Sequence, residues 1–415
     1  MLGNAICALR HAPEWEGVLW HNVFTNATVV RRTPPWITED DNWQDIPWSD
    51  CNTFLATEWL QRQWIMVPAS VVGQAIQTVA HEHPFHPVRE YLDSLVWDGT
   101  PRIDTWLSTY LEAEDTPYGR AVGPRWLISA VARIERPGAQ ADCVLILEGA
   151  QGIRKSSALR VLGQPWFIDR LSNFSNKDSA IELRSAWIVE IAELDAMSRA
   201  DISTTKAFIA RTHDCFRPPY GKETIELPRQ CVFAGTINLG GEYLKDSTGG
   251  RRFWPVTCNR IDIAALERDR DQLWAEARDR FRAGDPWWLE DSALETLAAE
   301  QQEDRYQGDS WDDLIGLYLE NEVQWVEDDY GVRHSHFSNR LEPLDDVSVA
   351  EILEKALNIE KGRWTQTDQN RVVRSLVSMG FKQYQARRGD RRERRYRRDR
   401  LNEKQVLLIN AMRRK

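Results

Sequence analysis

The sequence predicts an α/β fold: a parallel sheet carrying a phosphate-binding loop, preceded by a mainly helical region and followed by a basic, winged-helix-like one. Three observations lead there. CVLILE, residues 143 to 148, is nearly all apolar and ends in a glycine-bearing turn and a Lys-Ser-Ser that opens a helix. Two later apolar runs, SAWIVEIA from 185 and QCVFAGTIN from 230, stop on polar residues. Runs of this kind suit parallel strands covered on both faces, and apolar spacings of three and four elsewhere suit helices.

At 415 residues the chain is too long for one ordinary core and reads as several domains. Hydrophobic content of 42% and charged content of 28% place it among soluble globular proteins. No run approaches the roughly 18–20 apolar residues of a membrane span, and the N-terminus lacks a signal-peptide pattern, so a cytoplasm is expected. The cysteines, at 7, 51, 143, 215, 231 and 258, stand singly with no C-x-x-C pair and read as buried free thiols, not disulfides or zinc ligands. The net charge of −10 hides an asymmetry: from Lys382 to Lys415 fourteen Lys and Arg face four Asp and Glu, a local balance of +10. Such a basic tail suggests a polyanionic partner. The 19 tryptophans read as core anchors before stacking platforms.

Residues 1 to 136 form the mainly helical region. TFLATEWLQRQ (53 to 63) and SVVGQAIQTVAHEH (70 to 83) have helical spacing, and the stretch from 33 to 50 is a proline-broken acidic loop whose aspartates read as solvated. His81, His83 and His86 tempt a metal reading, but Pro84 and Pro87 break the helix that would align the imidazoles. Further helices follow over 87 to 136, broken at Asp98-Gly99-Thr100-Pro101; RWLISAVARI, apolar on most faces, should be buried.

The α/β core spans 137 to 300. Gly149, Lys155 and Ser156 keep the spacing G-x-x-x-x-G-K-[ST], in which backbone N–H groups cradle phosphates, the lysine reaches the β and γ oxygens and the hydroxyl ligates magnesium. Arg154 stands where the second glycine belongs, and Ser157 follows the motif. Taken alone, residues 149 to 156 fit a nucleotide site and an ordinary strand–turn–helix equally well. SAWIVEIAELDAM supplies carboxylates for a metal shell and for water activation. Glu193, at the strand's C-terminal end, is the catalytic and metal-ligating choice; Glu190, inside the strand on the opposite face, and Asp195, just beyond, are placed to assist. Asn238 ends the next strand at the same edge, where it would hold the attacking water or sense the γ-phosphate. Between these strands Arg217, Tyr220 and Lys222 surround a Pro-Pro-Tyr-Gly turn that suits single-stranded nucleic acid and a plain surface turn equally. Arg251 and Arg252 after paired glycines read equally as an arginine finger on a neighbour's nucleotide or as a salt-bridged turn.

Taken together, the variant phosphate loop, WIVEIAELDA, KAFIARTHDCFRPPYG, VFAGTIN and TGGRRFWPV, with the lead-in PFHPVREYLDSLVWDGTPRIDTWL, resemble the virulence-associated E family of phage and mobile-element proteins over roughly residues 80 to 305. That family is similar to the superfamily 3 helicases, AAA+ type P-loop ring ATPases that act on DNA in replication initiation. The resemblance implies ATP and Mg2+ as ligands, with nucleotide binding by Gly149, Gly152, Lys155 and Ser156. It further implies a Walker B role for Glu193, a sensor role for Asn238, an arginine finger at Arg251 or Arg252, and a DNA channel lined by the 217 to 222 turn. A hexameric ring on single-stranded or origin DNA, in a bacterial host's cytoplasm, is the implied assembly. Two departures stand out. Family members usually carry Gly where this chain has Arg154, which should crowd the phosphates unless the guanidinium swings outward or itself touches phosphate. Weakened ATP turnover is therefore expected, and a catalytically silent DNA-binding initiator or helicase loader is the alternative. No paired-acid strand motif precedes residue 90, so a separate primase chain is expected.

ALERDRDQLWAEARDRFRAG (265 to 284) reads as a lid or surface helix, and the acidic stretch from 301 to 346 as a linker or lid. From 347 to 415, VSVAEILEKAL, QTDQNRVVRSLVSMGF and RRGDRRERRYRR predict two short helices and a basic β-wing, a winged-helix-like arrangement whose Arg371 and Arg374 would sit on DNA. Nine arginines between 387 and 400 add a strong polyanion-binding term through counterion release.

Overall fold

The computed structural model describes residues 1–38, 42–169, 177–192, 199–217, 224–238, 252–303, 311–327, 333–339, 342–388 and 391–398. The chain forms two compact units, Met1–Gly241 with Gly250–Asp304, and Glu242–Gly249 with Arg305–Lys415.

The first unit begins with helix α1 (Leu2–His11), the hairpin β1 (Leu19–Asn22) and β2 (Ala27–Val30), then β3 (Ile46–Pro47), α2 (Asp50–Arg62), α3 (Ala69–His81) and β4 (Pro84–Phe85). The strands make one small sheet in the order β3-β2-β1-β4, with β4 parallel to β1 and the other pairs antiparallel. Asn22 closes the hairpin by accepting the N–H groups of Phe24 and Thr25 at 3.0 and 3.1 Å, and Asn26 takes the left-handed turn position at φ 49 that asparagine tolerates. Trp15 sits at the centre of the local core with Leu9, Val18, Leu60 and Ile76, its ring edge-on to Trp36 and Trp59. The early tryptophans thus anchor a core, with Trp64 left exposed. The sequence reading has only helices and a loop here; strands of two to four residues carry too few alternations to register as a period of two.

Next come α4 (Pro87–Ser94), α5 (Trp106–Leu111), α6 (Pro117–Glu135), β5 (Val144–Gly149), α7 (Lys155–Gly163), β6 (Phe167–Ile168), α8 (Lys177–Glu182), β7 (Ile188–Ala192), α9 (Arg199–Ile209), β8 (His213–Phe216), β9 (Ile225–Pro228), β10 (Val232–Asn238), β11 (Phe253–Thr257), α10 (Ile263–Ala283) and α11 (Ser292–Glu303). Five of these strands form a wholly parallel sheet in the order β11-β5-β10-β7-β6. Every residue of β5 is buried, as its apolar run requires. The chain leaves β5 for the far edge and works back, so β10 becomes the neighbour of β5 and brings its C-terminal residues beside the loop that follows β5.

Helix α6 is buried on nearly all sides, as RWLISAVARI predicts. Three buried tryptophans donate their ring N–H groups to backbone carbonyls of other elements: Trp126 to Phe233 at 2.9 Å, Trp187 to Ala130 at 2.9 Å and Trp274 to Leu162 at 3.0 Å. His86 caps α4, accepting the Arg89 N–H at Nδ1 (3.2 Å), which leaves Nε2 to donate to Gln230 Oε1 at 2.7 Å. Both ring nitrogens are thereby used. No group of three or more His, Cys, Asp or Glu among the described residues could hold a metal ion, and no described helix is long and apolar enough to cross a membrane. The cysteines are free, yet Cys7, Cys51 and Cys215 are exposed and only Cys231 and Cys258 are buried. The expectation of buried thiols is corrected to that extent, because Cys7, Cys51 and Cys215 lie on the solvent faces of their elements.

In the second unit α12 (Asp312–Glu320) leads into the antiparallel hairpin β12 (Asn321–Glu327) and β13 (Arg333–Asn339), so the stretch read as an acidic linker is largely regular structure. Then β14 (Asp346–Ser348), α13 (Val349–Glu351) continued by a π-helical turn at Ile352–Ala356, α14 (Gln366–Ser378), β15 (Lys382–Arg388) and β16 (Arg391–Arg397) follow. The last three strands form an antiparallel sheet ordered β14-β16-β15. Ile315, Val347, Ile352, Val372, Leu376 and Phe381 are in its core, and both α13 and α14 begin with capping boxes, Ser348 with Glu351 and Thr365 with Asp368.

Candidate active site

The site lies at the carboxyl edge of the parallel sheet, where β5, β7 and β10 end. Gly149 finishes β5, and a Cβ there would lie 2.7 Å from the Cys258 carbonyl oxygen, so close backbone packing demands glycine. Two left-handed residues shape the loop, Gly152 at φ 86 and Arg154 at φ 73. Arg154 is the N-cap of α7 and its side chain is exposed. The crowding expected of it is thus absent from the loop interior; its cost is a backbone conformation that glycine adopts freely.

Lys155 is buried and its ammonium donates to the Gly149 and Ala150 carbonyls at 2.8 and 2.9 Å, with Asn238 Oδ1 at 3.5 Å. Burial lowers its pKa from the usual lysine value. Ser156, in the first turn of α7, donates to Glu190 Oε1 at 2.6 Å, and Thr236 of β10 donates to the same oxygen at 2.7 Å. Glu190 is 2% exposed, and its Oε2 has no hydrogen-bond partner among the described residues. A carboxylate oxygen so placed beside a serine hydroxyl fits Mg2+, which binds through one or two carboxylates plus phosphate oxygens and water and needs no all-protein cage. On the other side of β5, Thr257 donates to the buried Glu148 at 3.1 Å, and burial pushes the Cys258 thiol up to about 12.

The structure brings Gly149, Gly152, Arg154, Lys155, Ser156, Ser157, Glu190 and Asn238 into one region. Glu190, read as an assisting carboxylate, faces α7 and accepts a hydrogen bond from the Ser156 hydroxyl. Glu193, preferred as metal ligand, lies outside the described residues, as do Asp195, Arg251, Tyr220 and Lys222. Arg252 is in an ion pair with Asp142 at 3.1 Å, just before β5, at the opposite edge of the sheet from the loop. The strands on either side of the 217 to 222 segment, β8 and β9, pair antiparallel. Arg217 follows β8, and the hairpin's root is held by a buried ion pair in which Arg229 donates to both oxygens of Asp214. In the second unit the Arg371 guanidinium stacks 3.6 Å from the Trp311 ring centroid; Arg374 lies on α14. Thr236, Glu148 and Thr257 were not singled out for a role. Each stands at or near the C-terminal end of an apolar strand, which was the signal that could have found them.

Fold and site together define an α/β protein whose parallel sheet gathers a lysine, two hydroxyls and a buried carboxylate behind a glycine-bearing loop. The chain belongs to the virulence-associated protein E-like domain family, whose model matches residues 92–307. No curated protein matches it. Among solved structures it is similar to the apo C-terminal region of NrS-1, with a TM-score of 0.50 at 12% identity over 95% of this chain and 99% of that one. An A-form apo structure of the same region gives a TM-score of 0.46 at 12% identity, over 92% and 96%. At this identity the first likeness shows a shared fold alone.

Proposed function

We propose that this chain is an ATP-dependent DNA motor of the AAA+, superfamily 3 type, working in the replication of a phage or mobile element as a hexameric ring. The observation that carries the reading is the bonding of Ser156 and Thr236 to one oxygen of Glu190, beside Lys155, with the other oxygen unsatisfied. In this reading residues 149–156 are a P-loop. Its backbone N–H groups and the start of α7 would hold the phosphates. Lys155 would exchange its two carbonyl partners for β and γ oxygens. Ser156 and Glu190 would hold Mg2+, which supplies charge neutralisation at those oxygens. Glu193 would polarise the attacking water, Asn238 would orient it, and Arg251 or Arg252 of a neighbouring copy would face the γ-phosphate, Arg252 after leaving Asp142.

DNA would contact the 217 to 222 turn and the winged-helix-like second unit through its hairpin β15–β16, Arg371 and Arg374. The silent initiator or loader is the second reading, favoured by the left-handed backbone of Arg154. Strand displacement on a forked duplex separates them. The motor reading expects ATP-dependent displacement that Lys155→Ala abolishes. Binding of the fork with no displacement, by wild type and Arg154→Gly alike, would sink it in favour of the silent reading.

A further inference from the structure

The Thr236 hydroxyl has no part in cradling phosphates, yet it is spent on Glu190 and not on its own strand. Thr236 and Asn238 are two apart on β10, so both point to the α7 face of the sheet. One strand therefore presents the donor to Glu190 and the amide near Lys155. Ser156 and Thr236 converge on Oε1 from two different elements, a helix and a strand, which fixes the carboxylate's rotation and loads one oxygen fully. Oε2 keeps its acceptor capacity, buried and without a donor among the described residues. Leaving a buried charged oxygen unmatched is costly unless a ligand completes it.

Resting on the proposed function, we infer that Thr236 is a positioning residue that holds Glu190 with Oε2 ready for a divalent cation. Second-shell hydrogen bonds of this kind orient a ligating carboxylate, and losing one weakens metal binding about 10–100-fold. Because Ser156 lies beside Glu190 and Thr236 behind it, the two hydroxyls have separate tasks. Ser156 is free to turn to the metal when phosphates arrive, and Thr236 alone then keeps the carboxylate in place.

The test is direct Mn2+ binding to the full-length protein, read by electron paramagnetic resonance without nucleotide and with ATP, for wild type, Thr236→Val, Thr236→Ser and Glu190→Gln. Thr236→Val is near-isosteric and removes only the hydroxyl. The expected result is a site lost in Glu190→Gln, weakened about tenfold or more in Thr236→Val, and restored in Thr236→Ser. Equal Mn2+ affinity in wild type and Thr236→Val, no site in wild type under either condition, or failure of Thr236→Ser to restore it overturns the inference. Metal-free ATP binding, followed separately with a fluorescent analogue, depends on Lys155 and not on Thr236. If wild type binds Mn2+ as expected but no ATP, the proposed function fails while the positioning role stands. If ATP binds and Lys155→Ala removes it, yet Thr236→Val leaves Mn2+ unchanged, only the positioning role fails.

Discussion

Replacing Arg154 by glycine should stabilise the protein and speed any turnover. At φ 73 the arginine pays about 1–2 kcal/mol for left-handed backbone, and glycine removes this but adds about 0.4–1 kcal/mol of unfolded-state entropy. The net gain is about 0.5–1 kcal/mol, which for a unit of this size raises the melting midpoint by about 1–4 °C. Scanning calorimetry beside Arg154→Ala makes the cause readable. Alanine keeps the strained φ and loses only the exposed guanidinium, so it should not gain. If alanine gains as much as glycine, the charge was at fault and the backbone argument is wrong. If the strain also holds the loop away from its phosphate-bound form, about 1 kcal/mol would appear as a roughly fivefold faster turnover in Arg154→Gly. Equal rates in the two proteins would refute weakening by Arg154.

Asp214→Asn leaves Arg229 buried without its counter-charge and should cost about 3–5 kcal/mol in urea unfolding, since Arg229 is 2% exposed; a loss under 1 kcal/mol would show that the pair is dispensable. On β16, Arg395 is tied to Asp346 at 2.6 Å and to Glu351 at 3.1 Å, whereas Arg394 points to the other face. Arg395→Gln should lower the unfolding midpoint of the second unit, and Arg394→Gln should leave it and reduce the salt slope of DNA binding by about one phosphate contact. His86 carries a pKa lowered by burial, opposed by its bond to Gln230, and caps α4 only as the neutral ring. Its folded pKa lies below the unfolded value of about 6.5, so its contribution is present above that pH and is lost as pH falls towards the folded value. His86→Asn, which can still cap, should flatten the stability curve below about pH 6.5; an unchanged acid limb would contradict this.

The core strands were legible because parallel strands buried on both faces must be largely apolar, as 144–149 and 232–238 are apart from Glu148, Thr236 and Asn238 near their C-terminal ends. The loop was legible because Gly149 and Lys155 answer to close packing and to charge. Strand order was not, since nothing local says that β10 rather than β6 lies against β5. That missing neighbour hid the role of Thr236. It also concealed that Glu190 meets Ser156, because a period of two separates the faces of β7 without saying which one α7 covers. In the stretch from 321 to 339 acidic side chains masked a hairpin in which Val323 pairs with Phe337. Arg395 was read within a basic β-wing, but not as an ion-paired residue, because its partners, Asp346 and Glu351, lie more than forty residues upstream.

The central claim is that Mg2+ and ATP act at the edge formed by Lys155, Ser156 and Glu190. ATP hydrolysis by purified protein, with and without single-stranded DNA and beside Lys155→Ala and Glu190→Gln, tests it most directly. Turnover that DNA stimulates, and that both substitutions remove, is the predicted result; turnover that survives Lys155→Ala, or none in wild type and Arg154→Gly alike, would contradict it.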